Sequence, residues 1–234
     1  MQFSSYRFIF LFAPVVVSVY LLTGGGAFYK QWLLIASLVF YAFQSVQCLP
    51  ILIASILVNY AAGVYVISLR ASGREKLSRC IFVLGLLFNI GLLGFFKYAD
   101  FIITTINQFG ANIPLLNVIL PPGISFFTIT EMIYLVDAYQ GVTKDKDILN
   151  YSVFVSFFPH ILMGPILWHK PIVKQLNNPE TYRVNWENMA RGLTLFVIGL
   201  AKKVIIADAL EWYVRSLFFH ISELTMLNGI AISV

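Results

Sequence analysis

The sequence predicts an all-α, polytopic membrane protein, one membrane domain over residues 1–234, with broken or re-entrant helices in its second half. Three observations lead there. The chain is 59% hydrophobic and only 12% charged, where soluble domains have roughly 45–50% and about 25%; so little charge cannot coat a globule of this size. Apolar runs long enough for a bilayer core, about 20 residues, recur along the chain. The 16 Lys and Arg and 11 Asp and Glu, net +5, fall singly or in short groups between those runs. That is the pattern of inner-membrane loops and not the clustered basic face that nucleic acid requires. The bilayer is therefore the first partner, and nucleic acid is not one.

The elements follow in order. Tyr6 to Leu22 is apolar behind Arg7 and stops at Thr23-Gly24-Gly25-Gly26. It has the shape of a signal peptide, but it leads into more apolar chain and reads as an uncleaved span. No residue between Lys30 and Arg70 is charged, a length of about two bilayer cores at ~1.5 Å per residue. Pro50 divides it into Gln31 to Cys48 and Leu49 to Leu69, a tight helical hairpin. Arg70, Arg74, Lys76 and Arg79 against Glu75 make the next loop cytoplasmic and put the amino terminus outside. Cys80 to Phe96 is a further span anchored by Lys97-Tyr98. From Tyr98 to Leu120, interruptions at Asp100, Asn107, Gln108, Gly110, Asn112 and Pro114 predict an outer interfacial helix and loop, or a short span. Cys48 and Cys80 have neither metal nor disulfide spacing and read as buried thiols.

Pro121-Pro122-Gly123 opens an apolar run to Tyr139 that carries Glu131 and Asp137, followed by the mixed-charge loop Lys144 to Asp147. Ile148 to Trp168 is apolar but broken at Pro159, Gly164 and Pro165. Broken backbone at membrane depth needs protein or a water-filled cavity around it, so this segment re-enters or lines a cavity. A polar loop is expected from His169 to Arg191, then a helix from Gly192 to Ala209 with Lys202, Lys203 and Asp208 near its end. Glu211 and Arg215 share a helix face. The last residues, Leu227 to Val234, stop inside an apolar stretch, which predicts a truncated chain.

Ionisable groups within spans are costly, so each is a candidate site residue. Glu131 and Asp137 are about 600° of helical rotation apart and do not form an obvious acid–base pair; they bond neighbouring helices or line a polar cavity. His160 has no Ser, Cys or acid beside it in sequence and reads as a packed residue more readily than as a general base. His169, at an expected interface behind Trp168, and His220 read as structural. Lys202 and Lys203 are positive-inside anchors, or face an anionic phosphate of a carrier or lipid. Glu131, Asp137, Pro159, His160, Gly164, Pro165, Lys202 and Lys203 are thus the candidates for a polar path. There is no metal set, phosphate loop, HExxH or GxSxG.

Several strings carry a family resemblance through their shared order. These are Ser37 to Ala42 with Ser55 to Tyr60; Phe88-Asn89 with Phe95 to Tyr98; Pro122 to Thr128 with Tyr134, Asp137, Tyr139 and Gly141; Ser156 to Pro159 with Gly164-Pro165-Ile166; and Gly199 to Asp208. Together they resemble the membrane-bound O-acyltransferase family, in particular its bacterial branch that O-acetylates alginate and related polysaccharides. The resemblance implies a ring of membrane helices around a buried funnel in the inner membrane. It implies acetyl transfer from a cytoplasmic donor, acetyl-CoA or another acyl carrier acting as substrate, with no bound cofactor. The acceptor is handled at the outer face, where a periplasmic acetyl-handling protein is the implied partner. The strings belong to the family's amino-terminal half, and its catalytic His is expected beyond Val234, so this chain is expected to be incomplete and inactive alone. A secondary transporter is the rival reading, although its interruptions should recur in matching halves and here they cluster after Pro121. A non-catalytic truncated membrane protein is the third.

Overall fold

The computed structural model describes residues 1–22, 28–165, 167–182 and 184–219. The glycine run after Thr23, Ile166, His220 and the apolar end at Val234 lie outside the described residues. Those described are helical, with no strand among them, and they form two compact units. One runs from Val16 to the end of a short 3-10 turn, Pro179–Tyr182; the other joins Gln2–Val15 to the helices after Val184.

In the first unit, α1 (Ala13–Leu22, entering the unit at Val16) precedes α2 (Phe28–Gln44). A 3-10 turn, Val46–Cys48, leads to α3 (Leu49–Ala71). Pro50 sits in the first turn of α3, where its missing N–H costs nothing, so the break falls where Pro50 places it; the tight hairpin expected of the two helices is corrected, because α2 packs chiefly on α7, and α3 on α4 and α6. Gly73, in the left-handed region at φ +72°, turns the chain into α4 (Glu75–Leu93). A π-helical turn, Gly94–Tyr98, carries α4 on into α5 (Ala99–Gln108), and an irregular stretch follows to Gly123. The two continuous helices Val46–Ala71 and Glu75–Gln108 are each long and apolar enough to cross a bilayer. On the second of them Leu84, Leu87, Ile90 and Phe101 are exposed, an apolar face of the kind that marks contact with lipid or protein.

Next come α6 (Ile124–Gln140), α7 (Ile148–Ser156) and α8 (His169–Leu176). The reading of His169 to Arg191 as a polar loop is corrected: its first eight residues are α8. His169, Ile172, Val173 and Leu176 fall at i, i+3, i+4 and i+7 and turn inward, leaving Lys170 and Lys174 exposed. An amphipathic stripe outweighs a polar composition there.

The broken segment is a hairpin from α7 to α8 within this unit. Lys30 Nζ, at the start of α2, donates to Asn150 Oδ1 in α7 and to Asn177 Oδ1 just past α8, both at 2.6 Å, and lies 3.5 Å from Asp147 Oδ2. Asp147 caps α7 by accepting from Leu149 N. Both ends of the hairpin thus meet at one ammonium. Its turn lies deeper, where Phe158 N donates to Ser37 Oγ at 3.2 Å, seven residues or roughly 10 Å along α2 from Lys30. The two broken stretches also touch. Gly123, at φ +70°, lies so close to the hairpin tip that a Cβ there would be 2.3 Å from the Ile161 carbonyl oxygen.

The second unit holds α9 (Trp186–Ala201), a π-helical turn (Lys202–Ala207) and α10 (Asp208–Phe219). The helix begins earlier than the expected Gly192, because Asn185 caps it by accepting from Asn188 N at 3.0 Å. Glu211 and Arg215 pair at 3.9 Å on one face, as their spacing predicts. Phe8 stacks near Phe12 and Phe196 in the same unit.

Candidate functional site

Three helices of the first unit carry inward stripes that meet. On α3 these are Leu52, Ser55, Ile56, Asn59, Gly63 and Val66; on α6, Ile124, Phe127, Thr128, Glu131, Tyr134, Leu135 and Ala138; on α4, Ser78, Gly85 and Asn89. Small residues let the helices close up, as in membrane helix packing. A Cβ on Gly63 would lie 2.2 Å from Tyr134 Cε1, and one on Gly85 2.9 Å from Leu135 Cδ1.

Polar groups at the same depth bond across this interface. Ser55 Oγ donates to Glu131 Oε2 at 2.6 Å, and Asn59 Nδ2 donates to the same oxygen at 3.0 Å. Asn89 Nδ2 donates to Asn59 Oδ1 at 2.6 Å, and Asn59 Nδ2 approaches Asn89 Oδ1 at 3.2 Å. Glu131, Asn59 and Asn89 are fully buried. Buried polar groups of this kind are tolerable only when hydrogen-bonded. The amides meet that condition; Glu131 meets it at Oε2, while Oε1 has no partner.

Above Glu131, toward the 143–147 loop, lies an aromatic cluster. The Tyr134 ring centroid is 4.3 Å from that of Tyr151 on α7 and 5.0 Å from the His169 imidazole on α8. Phe154 meets His169 edge-on at 5.0 Å, and Tyr60 lies 5.9 Å from Tyr151. The hydroxyls of Tyr134 and Tyr151 and both ring nitrogens of His169 are buried without a hydrogen-bond partner. At the loop, Asp145 accepts from Asp147 N at 3.0 Å and from Asn150 Nδ2 at 2.9 Å. It interacts electrostatically with both Tyr134 and His169. Tyr60 donates to the Lys146 carbonyl, and Lys146 Nζ to Ser68 Oγ. A polar column thus runs from the loop, past His169 and the tyrosines, to Glu131 and the two asparagines.

The sequence-predicted candidates divide. Glu131 and Asp137 are both buried in α6, on different faces as their spacing requires, and only Glu131 joins the column. Asp137 Oδ2 has no hydrogen-bond partner, and its electrostatic neighbour is Lys170. His160 is buried with Nε2 3.1 Å from the Phe154 carbonyl, a packed residue. Pro159 and Pro165 are exposed and Gly164 half-buried at the hairpin turn. Lys202 and Lys203 are exposed in the second unit, where Lys203 pairs with Asp208. His169, expected at an interface behind Trp168, is 1% exposed and packs beneath α6 near the 143–147 loop. Ser55, Asn59 and Gly63 recur every fourth residue, a polar and small stripe that could have been found in the sequence. Tyr134, Tyr151 and His169 come from three segments and share no spacing. A separate cavity of about 300 Å³ lies among Val16, Leu33, Val153, Phe157 and Ile172; it is almost wholly apolar.

Among named proteins, the chain is 37% identical over 236 aligned residues to the peptidoglycan O-acetyltransferase of Helicobacter pylori, covering 88% of this chain and 44% of that protein. It is 37% identical over 217 residues to the probable alginate O-acetylase AlgI of Pseudomonas aeruginosa, covering 90% and 40%. The AlgI of Pseudomonas putida is likewise 37% identical over 216 residues, covering 90% and 43%. The chain is thus similar over about nine tenths of its length to proteins named as O-acetyltransferases of envelope polysaccharides. The resemblance in the ordered strings from Ser37 to Asp208 is therefore one of descent. The chain spans about two fifths of the length of these curated relatives. No family model matches it, and no solved structure does.

Proposed function

We propose that this chain forms part of a bacterial inner-membrane O-acetyltransferase acting on a cell-envelope polysaccharide. The match to named O-acetylases over about nine tenths of the chain carries the reading. The acyl donor is a substrate, acetyl-CoA or another acyl carrier, and no cofactor is bound. The acceptor hydroxyl oxygen attacks the thioester carbonyl, the C–O bond forms, the C–S bond breaks, and the hydroxyl proton ends on the thiolate. The polar column and hairpin would contribute a desolvated, oriented environment. Glu131 lies at its deep end; Pro159, His160, Gly164 and Pro165 shape the tip of the hairpin; Asp137, Lys202 and Lys203 are further contacts for donor or lipid. The helices are part of a multi-pass ring around this space, and a periplasmic acetyl-handling protein takes up the product side. The chain spans about two fifths of the length of its curated relatives, and the 234 residues expressed alone are expected to transfer no acetyl.

Deleting the chromosomal gene is expected to abolish base-labile acetate on one envelope polysaccharide, and the restored gene to return it. Unchanged acetate together with a defect in solute uptake would replace this reading with the transporter. The topology has its own test. Lys30, Ser68, Lys146 and Asp147 gather at one end of the first unit, next to the Arg70–Arg79 loop that cation count makes cytoplasmic. Cys48 is buried as expected, but Cys80, also expected to be buried, is exposed; with Cys80 replaced by Ser, Arg74→Cys is expected to resist an impermeant thiol reagent in whole cells and to react in inverted vesicles. Labelling in whole cells would reverse the orientation.

A further inference from the structure

We propose that His169, Tyr134, Tyr151 and Glu131 line a buried, water-bearing proton path that leads from the Asp145 loop to the Glu131 carboxyl. The lower part of the column is closed: Asn59 and Asn89 bond each other, and Ser55 and Asn59 saturate Glu131 Oε2. The upper part is not. Among the described residues, Glu131 Oε1, the hydroxyls of Tyr134 and Tyr151 and both nitrogens of His169 are buried with no hydrogen-bond partner. Orphaned polar atoms are rare in folded proteins, and several in one cluster call for bound water or a functional role. A buried water needs two to four polar partners, and these atoms supply them.

The order of groups suits proton movement. Asp145 is held at the loop end by Asp147 N and Asn150 Nδ2 and interacts with both His169 and Tyr134. An imidazole can accept at one nitrogen while donating from the other, and a phenol hydroxyl both donates and accepts. The Tyr134 ring bridges those of His169 and Tyr151, and Tyr134 lies three residues, about one helical turn, from Glu131 on the inward side of α6. Among the described residues no cation pairs with Glu131, and a lone buried carboxylate is costly. With Oε2 accepting both bonds and Oε1 unoccupied, the arrangement holds a neutral acid whose O–H points to water. In acyl transfer the acceptor hydroxyl loses a proton and the leaving thiolate takes one up, and this path would connect the membrane interior with the donor side. That use rests on the acyl-transfer reading; the path itself does not.

The test is infrared spectroscopy of the 234-residue chain in phospholipid nanodiscs, which needs no acetylation. Expected is a carbonyl stretch of a protonated carboxyl group that is absent from Glu131→Gln and shifts in D2O. Gln keeps the acceptor for Ser55 and Asn59, so the helices stay packed. Tyr151→Phe, Tyr134→Phe and His169→Phe are each expected to slow the deuterium shift about tenfold, the kinetic equivalent of losing one hydrogen bond of ordinary net strength. The tyrosine variants lose only a hydroxyl, so they stand if the histidine variant fails to fold. A chain with no Glu131-dependent band, or a band that does not exchange over hours, refutes the path. Exchange as fast in all three variants as in the wild type shows that water reaches Glu131 another way, and overturns it as well.

Discussion

Gly123→Ala is expected to lower the melting temperature of the purified chain in detergent by roughly 5–15 °C. Gly123 holds φ +70°, and a side chain there meets backbone: Ile161 O at 2.3 Å, with Ile161 C and Leu162 Cα at 3.2 Å. No rotamer change relieves a clash with backbone. Left-handed strain costs about 1–2 kcal/mol and overpacking about 1–3 kcal/mol; for a chain of this size each kcal/mol is worth about 2–4 °C. Gly141 is the control. It has φ +78° but nothing within 4 Å of a Cβ, so Gly141→Ala is expected to show the strain alone. Equal losses in the two variants would mean that the hairpin tip does not bear on Gly123.

Gly63→Ala is expected to disable the column while leaving the fold largely in place. The new methyl would lie 2.2 Å from Tyr134 Cε1 and 2.8 Å from its hydroxyl. Tyr134 is 1% exposed and held between Tyr151 and His169, so the ring must leave the cluster and take its neighbours' packing with it. Tyr134→Leu added to Gly63→Ala relieves the clash without restoring the hydroxyl. The double variant is therefore expected to regain thermal stability and not acetylation. Recovery of both would reduce Tyr134 to filler.

The helices were legible in the sequence wherever a simple length or pattern carried them. The charge-free run between Lys30 and Arg70, with Pro50 inside, is the pair of helices α2 and α3, because a proline can start a helix but not continue one; that they pack on α7, α4 and α6 more than on each other was not legible. The breaks at Pro159, Gly164 and Pro165 mark the reversal between α7 and α8, whose two far ends both bond Lys30. α8 was hidden because Lys170, Lys174 and Gln175 dominate its composition, while its four inward residues are sparse. Glu131 stood out as a charge in an apolar run. Its partners Ser55, Asn59 and Asn89 did not, since an uncharged polar residue in a helix is individually unremarkable and only the i, i+4, i+8 spacing on α3 marks the face. The burial of His169 depends on a chain reversal ten residues earlier, which local pattern does not encode. The apolar exterior is the converse case, where Leu84, Leu87 and Ile90 stay exposed because a bilayer, not water, is their expected solvent.

The central claim is that the column between α3, α6, α7 and α8 is a working part of an envelope O-acetyltransferase. Its most direct test is base-labile acetate on the isolated envelope polysaccharide of a strain carrying Gly63→Ala in the chromosomal gene, compared with wild-type and deletion strains at matched protein abundance in the membrane. The account predicts acetate at the level of the deletion strain. Wild-type acetate from Gly63→Ala at matched abundance would contradict it, because the displaced Tyr134 would then have taken nothing from the reaction.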